Sequence, residues 1–255
     1  KHVRNYLASV NGFLSVKIIE RPNNYGLSSN IIDGVTETCN RYGRAIILED
    51  DMVVSPYFLE YMNQALDRYE QDDRVASIHG YMYPVYNKLP ESFFLPGADC
   101  WGWATWERGW KLFNPDAAFL LKELNARGLV RDFDRDGVFP WYRMLEDQVA
   151  GKVDSWAICW HASVFLAGKF MLQSGRPLVR NIGGDGSGKH CGVQKGERFP
   201  LWPKPISIPE CPDNESGLSF RIYRKSLECW RIPVFQRIIG KLRYEYKRLF
   251  SGKKK

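Results

Sequence analysis

Four apolar residues, Ala45-Ile46-Ile47-Leu48, run directly into three carboxylates, Glu49-Asp50-Asp51. A short unbroken apolar run suits a strand that a parallel sheet buries on both faces. The neighbouring chain supplies the elements such a sheet needs. Ser15-Val16-Lys17-Ile18-Ile19-Glu20 reads as a strand, and Arg21-Pro22-Asn23-Asn24-Tyr25-Gly26 after it is turn chemistry. Ser28 or Ser29 then caps a helix whose apolar residues Ile31, Ile32, Val35 and Cys39 recur at helical spacing. Ser55-Pro56 opens a second helix with Leu59, Met62, Leu66 and Tyr69 as its buried stripe, and residues 74–80 read as a further strand. This alternation predicts an α/β fold. It puts the acidic triplet at the sheet's carboxyl edge, where open α/β folds bind ligands.

With 255 residues, 44% of them hydrophobic, the chain can bury a substantial core. Its formal charge of +7 would suggest nucleic acid if it were spread over the fold. It is not spread. Residues 231–255 hold nine Lys or Arg and one acid, which leaves 27 basic against 28 acidic residues in the first 230. No nucleic-acid partner is expected. Six cysteines without a C-x-x-C pair form neither a disulfide scaffold nor a zinc site, so a reducing, cytoplasmic setting is expected. No apolar run is long enough to span a membrane, and the first residues lack the shape of a signal peptide.

Clustered carboxylates repel one another unless a cation offsets them, and oxygen ligands suit Mg²⁺ or Mn²⁺ rather than zinc. A metal held there would most naturally hold a diphosphate as well. Downstream, residues 97–110 carry four tryptophans within ten positions: Trp101, Trp103, Trp106 and Trp110. Sugar rings stack their C–H faces on indoles, so Trp101 and Trp103 are candidates for a sugar platform, with Gly102 permitting close approach. Core packing is the competing reading for both, and the stronger one for Trp106 and Trp110. A second ordered stretch runs from Trp141 through Asp147 and Asp154 to a helix near Trp160–Leu172, with His161 structural. Residues 183–191 form a Gly-rich loop without either phosphate-loop pattern, read as a lid carrying His190.

The order strand, Arg-Pro-Asn-Asn-Tyr-Gly-Leu-Ser-Ser-Asn, helix, Ala-Ile-Ile-Leu-Glu-Asp-Asp-Met-Val-Val-Ser-Pro resembles glycosyltransferases of the GT-A fold. It is most similar to bacterial family-two-type sugar transferases and to N-acetylglucosaminyltransferase I, whose DxD-type motif is also Glu-Asp-Asp. The resemblance continues through Trp101-Gly102-Trp103-Ala104-Thr105-Trp106, Asp154-Ser155-Trp156 and residues 186–191, and so covers about residues 12–191. It implies a mixed sheet flanked by helices and metal-dependent transfer of a sugar from a nucleotide-diphosphate sugar to an acceptor hydroxyl, with inversion. Asp51 would be the direct metal ligand, and Glu49 and Asp50 would contact the donor's ribose or the metal's waters. Arg21, Asn24 and Gly26 would line the nucleotide site. His190 would complete the metal shell, which tilts the choice toward Mn²⁺. The base that inverting members need falls on Asp154, preferred for its Asp-Ser-Trp context, or on Asp147, in Glu146-Asp147-Gln148.

Three regions are expected: residues 1–191 as the GT-A domain, 192–230 as an irregular Pro-rich extension packing on it, and 231–255 as a basic amphipathic helix. That helix suits an anionic membrane surface and a peripheral location at its inner face, useful for a lipid-linked acceptor; docking on the domain is the alternative. The resemblance also implies a strand and base-binding turn before Ser15 that this chain lacks, so donor binding by these residues alone is expected to be weak. Competing activities are a sugar-nucleotide nucleotidyltransferase and a non-catalytic carbohydrate-binding protein of the same fold.

Overall fold

The structure is a computed structural model and describes residues 2–83, 89–183, 200–211, 217, 221, 223 and 224. His190, most of the Gly-rich loop and the basic tail lie outside these described residues. In chain order the elements are α1 (His2–Leu7), α2 (Leu27–Tyr42), β1 (Arg44–Ile47), β2 (Met52–Val54), α3 (Phe58–Arg68), β3 (Val75–His79), β4 (Ser92–Pro96) and β5 (Trp103–Trp106). They continue as α4 (Glu107–Trp110), α5 (Ala117–Ala126), α6 (Val130–Phe133), α7 (Trp141–Val149), α8 (Trp156–Leu166), β6 (Phe170–Ser174) and β7 (Val179–Asn181).

Among the described residues five strands form one mixed sheet in the order β1-β5-β3-β6-β4, with β3 and β6 parallel and every other pairing antiparallel. β2 and β7 pair antiparallel as a separate ribbon. The fold is α/β, a sheet flanked by helices. Alternation along the strands decides which layer each residue enters. Ala104 and Trp106 of β5 face α3, where Phe58, Met62 and Leu66 pack against Ile78, Phe94 and Leu172. Trp103 faces the other way, into a cluster with Val35 and Cys39 of α2 and Trp156, Trp160 and Val164 of α8. Helix α8 is apolar all round because it is covered all round: eight of its eleven residues are buried, with Ile158, Cys159 and Ala162 against α5, α6 and α7.

Several expectations need correction. Residues 15–20 form no strand; Val16, Ile18 and Ile19 stay exposed, because no strand among the described residues offers them an edge. β1 is accordingly not a central parallel strand. It is the sheet's edge, paired antiparallel to β5, with Ala45 as its one fully buried residue. Helix α2 starts two to three residues earlier than a cap at Ser28 or Ser29 would place it, with Gly26 at the N-cap position. On α3 the buried stripe is Phe58, Tyr61, Met62, Ala65 and Leu66, whereas Leu59 is half exposed. The helix expected near Trp160–Leu172 ends at Leu166, and Leu172 lies in β6.

The link from β4 to β5 crosses the sheet. Gly97 bonds to Lys169 at one edge, while Gly102, whose carbonyl accepts from Gly80 at 2.8 Å, meets the opposite one. Both glycines have left-handed φ, 87° and 67°. A Cβ on Gly97 would lie 2.5 Å from the His161 ring, and one on Gly102 would lie 2.6 Å from Val179. Residues 200–211 run irregularly along α3 and the sheet. Ser55 donates to the Trp202 carbonyl at 2.6 Å, Arg68 to the Pro209 carbonyl at 3.1 Å, and Ile206 and Cys211 are buried there. No helix among the described residues is long and apolar enough to cross a membrane.

Candidate functional site

β1, β3 and β6 all point their carboxyl ends at one edge of the sheet, and a cleft of about 850 Å³ lies there. Glu49, Asp50 and Asp51 after β1 form one part of its lining. Asp99, Cys100 and Trp101 of the crossing loop form another, Asp154 to Ile158 at the start of α8 a third, and Asn181 to Gly183 after β7 a fourth.

The acidic triplet is held by backbone. The Met52 N–H donates to the Glu49 carbonyl at 3.2 Å, closing a turn, and the Ile182 N–H donates to the Asp51 carbonyl at 2.8 Å. Asn181 then fixes the Asp51 side chain: its Nδ2 donates to Asp51 Oδ2 at 3.2 Å, while its Oδ1 accepts from the Gly183 N–H at 2.8 Å. The other oxygen, Asp51 Oδ1, is buried and has no hydrogen-bond partner among the described residues. A carboxylate oxygen in that state carries a large desolvation cost unless a ligand compensates it. Glu49 feels the same crowding, since burial and then the charges of Asp51 and Asp50 push its carboxyl up to about 7.

Among the described residues no three His, Cys, Asp or Glu converge as a group that could hold a metal ion. Small hard cations are often bound instead by one or two carboxylates, waters and a substrate's phosphates. Asp51, with one oxygen anchored by Asn181 and the other buried without a partner among the described residues, fits that arrangement. His190, the other expected ligand, is not among the described residues.

The two candidate bases separate clearly. Asp147 lies on α7 outside the cleft lining, 3.1 Å from Lys152 Nζ and 3.4 Å from Arg143. Asp154 lines the cleft, exposed, and its carboxylate makes no hydrogen bond or ion pair with the described residues. Its backbone is fixed, because Ser28 Oγ donates to the Asp154 carbonyl at 3.2 Å and Ser155 caps α8 through the Ile158 N–H.

Trp101 is half-buried in the cleft, braced by Tyr81 edge-on at 4.7 Å and by Tyr83, stacked at 6.4 Å. Trp103, its expected companion, is instead wholly buried, stacked on Trp156 at 5.5 Å, and presents no face to a sugar. Gly102 serves the approach of the ribbon to the sheet and does not line the cleft. Arg21, Asn24 and Gly26 also stand outside the lining. Arg21 binds Asn30 and Asp33, and Asn24 Oδ1 accepts from the Gly26 N–H; Leu27, next along, is the α2 residue that reaches the cleft.

Sequence reasoning overlooked Asn181, Gly183 and Asp99. Asp99 could have been noticed as the acid two positions before Trp101; nothing local marks Asn181, which meets Asp51 across 130 positions. His161 lines the cleft as well. Burial, then the Arg135 charge, lowers its pKa to about 4, so it is neutral, and its Nδ1 donates to the Ala98 carbonyl at 2.6 Å. No protein-family model matches the chain, and no curated protein matches it.

Proposed function

We propose that the chain is the catalytic domain of a metal-dependent glycosyltransferase of the GT-A type. It moves a sugar from a nucleotide-diphosphate sugar to an acceptor hydroxyl on a glycan, polysaccharide or lipid-linked chain, with inversion. The observation that carries this reading is the meeting, in one cleft at the sheet's carboxyl edge, of two differently prepared carboxylates. Among the described residues, Asp51 has a buried oxygen without a partner, and the Asp154 carboxylate makes no hydrogen bond or ion pair.

Asp154 accepts the proton of the acceptor hydroxyl as that oxygen bonds to the anomeric carbon and the bond to the diphosphate breaks. Asp51 would hold Mn²⁺, or Mg²⁺, with Asn181 keeping the carboxylate turned. When bound, the cation neutralises the charge that collects on the departing diphosphate. Glu49 and Asp50 contact the donor's ribose or the metal's waters. Leu27, Met144, Val153 and Ile182 give the cleft apolar walls that keep water from the anomeric carbon.

The test is Mn²⁺-dependent release of nucleoside diphosphate from a panel of nucleotide sugars, comparing the full chain with Asp51→Ala. Release by the wild type that falls at least a hundredfold in the variant supports the reading. Absence of release from every donor, or equal release by both proteins, sinks it.

A further inference from the structure

His79 is completely buried at the carboxyl end of β3. It stands in register with Gln173 on the parallel neighbour β6, and its Nδ1 lies 3.0 Å from Gln173 Oε1. The amide of Gln173 is already oriented, because its Nε2 donates to the Tyr81 carbonyl at 2.6 Å and to the Ser174 carbonyl at 2.8 Å. Its oxygen therefore accepts, Nδ1 of His79 carries the hydrogen, and Nε2 is the ring atom left over. Nε2 is buried and makes no hydrogen bond with the described residues; in this tautomer it is an acceptor, so Asp99 Oδ1, 3.9 Å away, lies beside it without bonding it. Two polar side chains in the middle of an apolar sheet are costly to bury. They put a polar patch next to one carboxylate at the cleft.

The Asp99 carboxylate is held by the Cys100 N–H, which donates to Oδ1 at 2.7 Å. Its side chain is 20% exposed and lines the cleft two residues before Trp101, the indole braced by Tyr81 and Tyr83. A held carboxylate beside a held, half-exposed indole is the chemistry that recognises a sugar ring: the indole takes the C–H face and the carboxylate accepts from hydroxyls.

We infer that Asp99 and Trp101 form a subsite for one pyranose ring, in which the Asp99 carboxylate takes the ring's hydroxyls. The inference rests on the glycosyl-transfer reading for why a sugar enters this cleft, and it adds a recognition element to Asp51 and Asp154. The ring belongs either to the donor or to the acceptor.

Saturation-transfer NMR and calorimetry on the full chain distinguish these sources. The probes are UDP-glucose, UDP-N-acetylglucosamine and GDP-mannose, the bare diphosphates UDP and GDP with Mn²⁺, and the matching methyl glycosides. If the ring is the donor's, Asp99→Asn weakens the nucleotide sugar about tenfold or more and leaves the bare diphosphate within about twofold. If it is the acceptor's, the same variant weakens the methyl glycoside and spares both nucleotides. Asp99→Ser replaces Asp99→Asn if the latter does not fold. Sugar binding unchanged in the Asp99 variants, equal loss of sugar and bare diphosphate, or no sugar signal with wild type overturns the subsite. If no nucleotide binds at all, the donor reading fails, while loss of glycoside binding in Asp99→Asn still supports the ring subsite.

Discussion

Replacing Gly183 with alanine should disable the candidate site while sparing the fold. A Cβ built on Gly183 falls 2.3 Å from Asp51 Oδ2 and 3.1 Å from its Cγ, and contacts below 3.0 Å are essentially never seen. The carboxylate must therefore retreat by at least 0.7 Å from an oxygen that Asn181 Nδ2 holds at 3.2 Å. Gly183 does not occupy the left-handed region, so its backbone accepts a side chain without strain. The stability change combines one weakened hydrogen bond, about 1 kcal/mol, with a gain of about 0.4–1 kcal/mol from a less flexible unfolded chain; the two nearly cancel. Displacing a catalytic group by about 1 Å can cost on the order of 10²-fold in rate, equivalent to about 3 kcal/mol of barrier. Mn²⁺-dependent diphosphate release should therefore fall about a hundredfold with an almost unchanged melting temperature. Gly34→Ala is the control: it lies inside α2 with nothing within 4 Å of its Cβ, and should stabilise the protein by about 0.5–1 kcal/mol without touching activity. A Gly183→Ala protein with more than half the wild-type turnover would refute the link between this glycine, Asn181 and the Asp51 carboxylate.

Asp154→Asn should lower transfer about 10²–10⁴-fold with donor binding preserved, whereas Asp147→Asn, which removes surface ion pairs, should stay within a few-fold. Separate measurements of donor affinity and turnover check both, and a reversed ranking would move the base to α7. Trp160→Ala should destabilise the protein by about 3–5 kcal/mol in urea titrations, because Trp160 is wholly buried against Trp103 and Trp110. Acid should weaken the fold through His161. Its folded pKa of about 4 lies below the ordinary value of about 6.5, so between those pH values the unfolded chain binds a proton the folded chain does not. That contribution is intact above about pH 6.5, declines as pH falls, and reaches a loss of about 3 kcal/mol near pH 4; His161→Leu should show a flatter difference across that window.

Local chemistry announced the elements whose surroundings are local. Ser55 lies just ahead of a helix, its Oγ accepting from the Tyr57 N–H, although α3 begins at Phe58 and not at Pro56, and the run from Val75 to His79 is a buried strand. The acidic triplet was likewise legible as the end of a strand at a sheet edge, because charge cannot continue into a core. Residues 15–20 show the limit: their apolar content permits a strand, but pairing depends on an available neighbour, which no local pattern encodes. Trp101 and Trp103 sit two positions apart, yet one is in the cleft and the other in the core. A left-handed glycine and a change from loop to strand separate them, and aromatic content alone does not register that change. Asn181 and the His79–Gln173 pair escaped notice because their roles exist only after strands 90 or more positions apart meet.

Gly97 and Gly102 acquire a wider meaning once the loop between them is considered as a unit. Each is blocked by a packed side chain and set in a backbone conformation that disfavours replacement, so the places where the loop leaves one sheet edge and joins the other are fixed. Between them Ala98 is buried in the core, whereas Asp99, Cys100 and Trp101 are only partly buried and line the cleft. Residues 99–101 therefore behave as an exchangeable cassette between two immovable posts. Libraries that vary Asp99, Cys100 and Trp101 at constant length should change what the cleft selects, while insertions or deletions there should disturb the sheet before they alter selectivity.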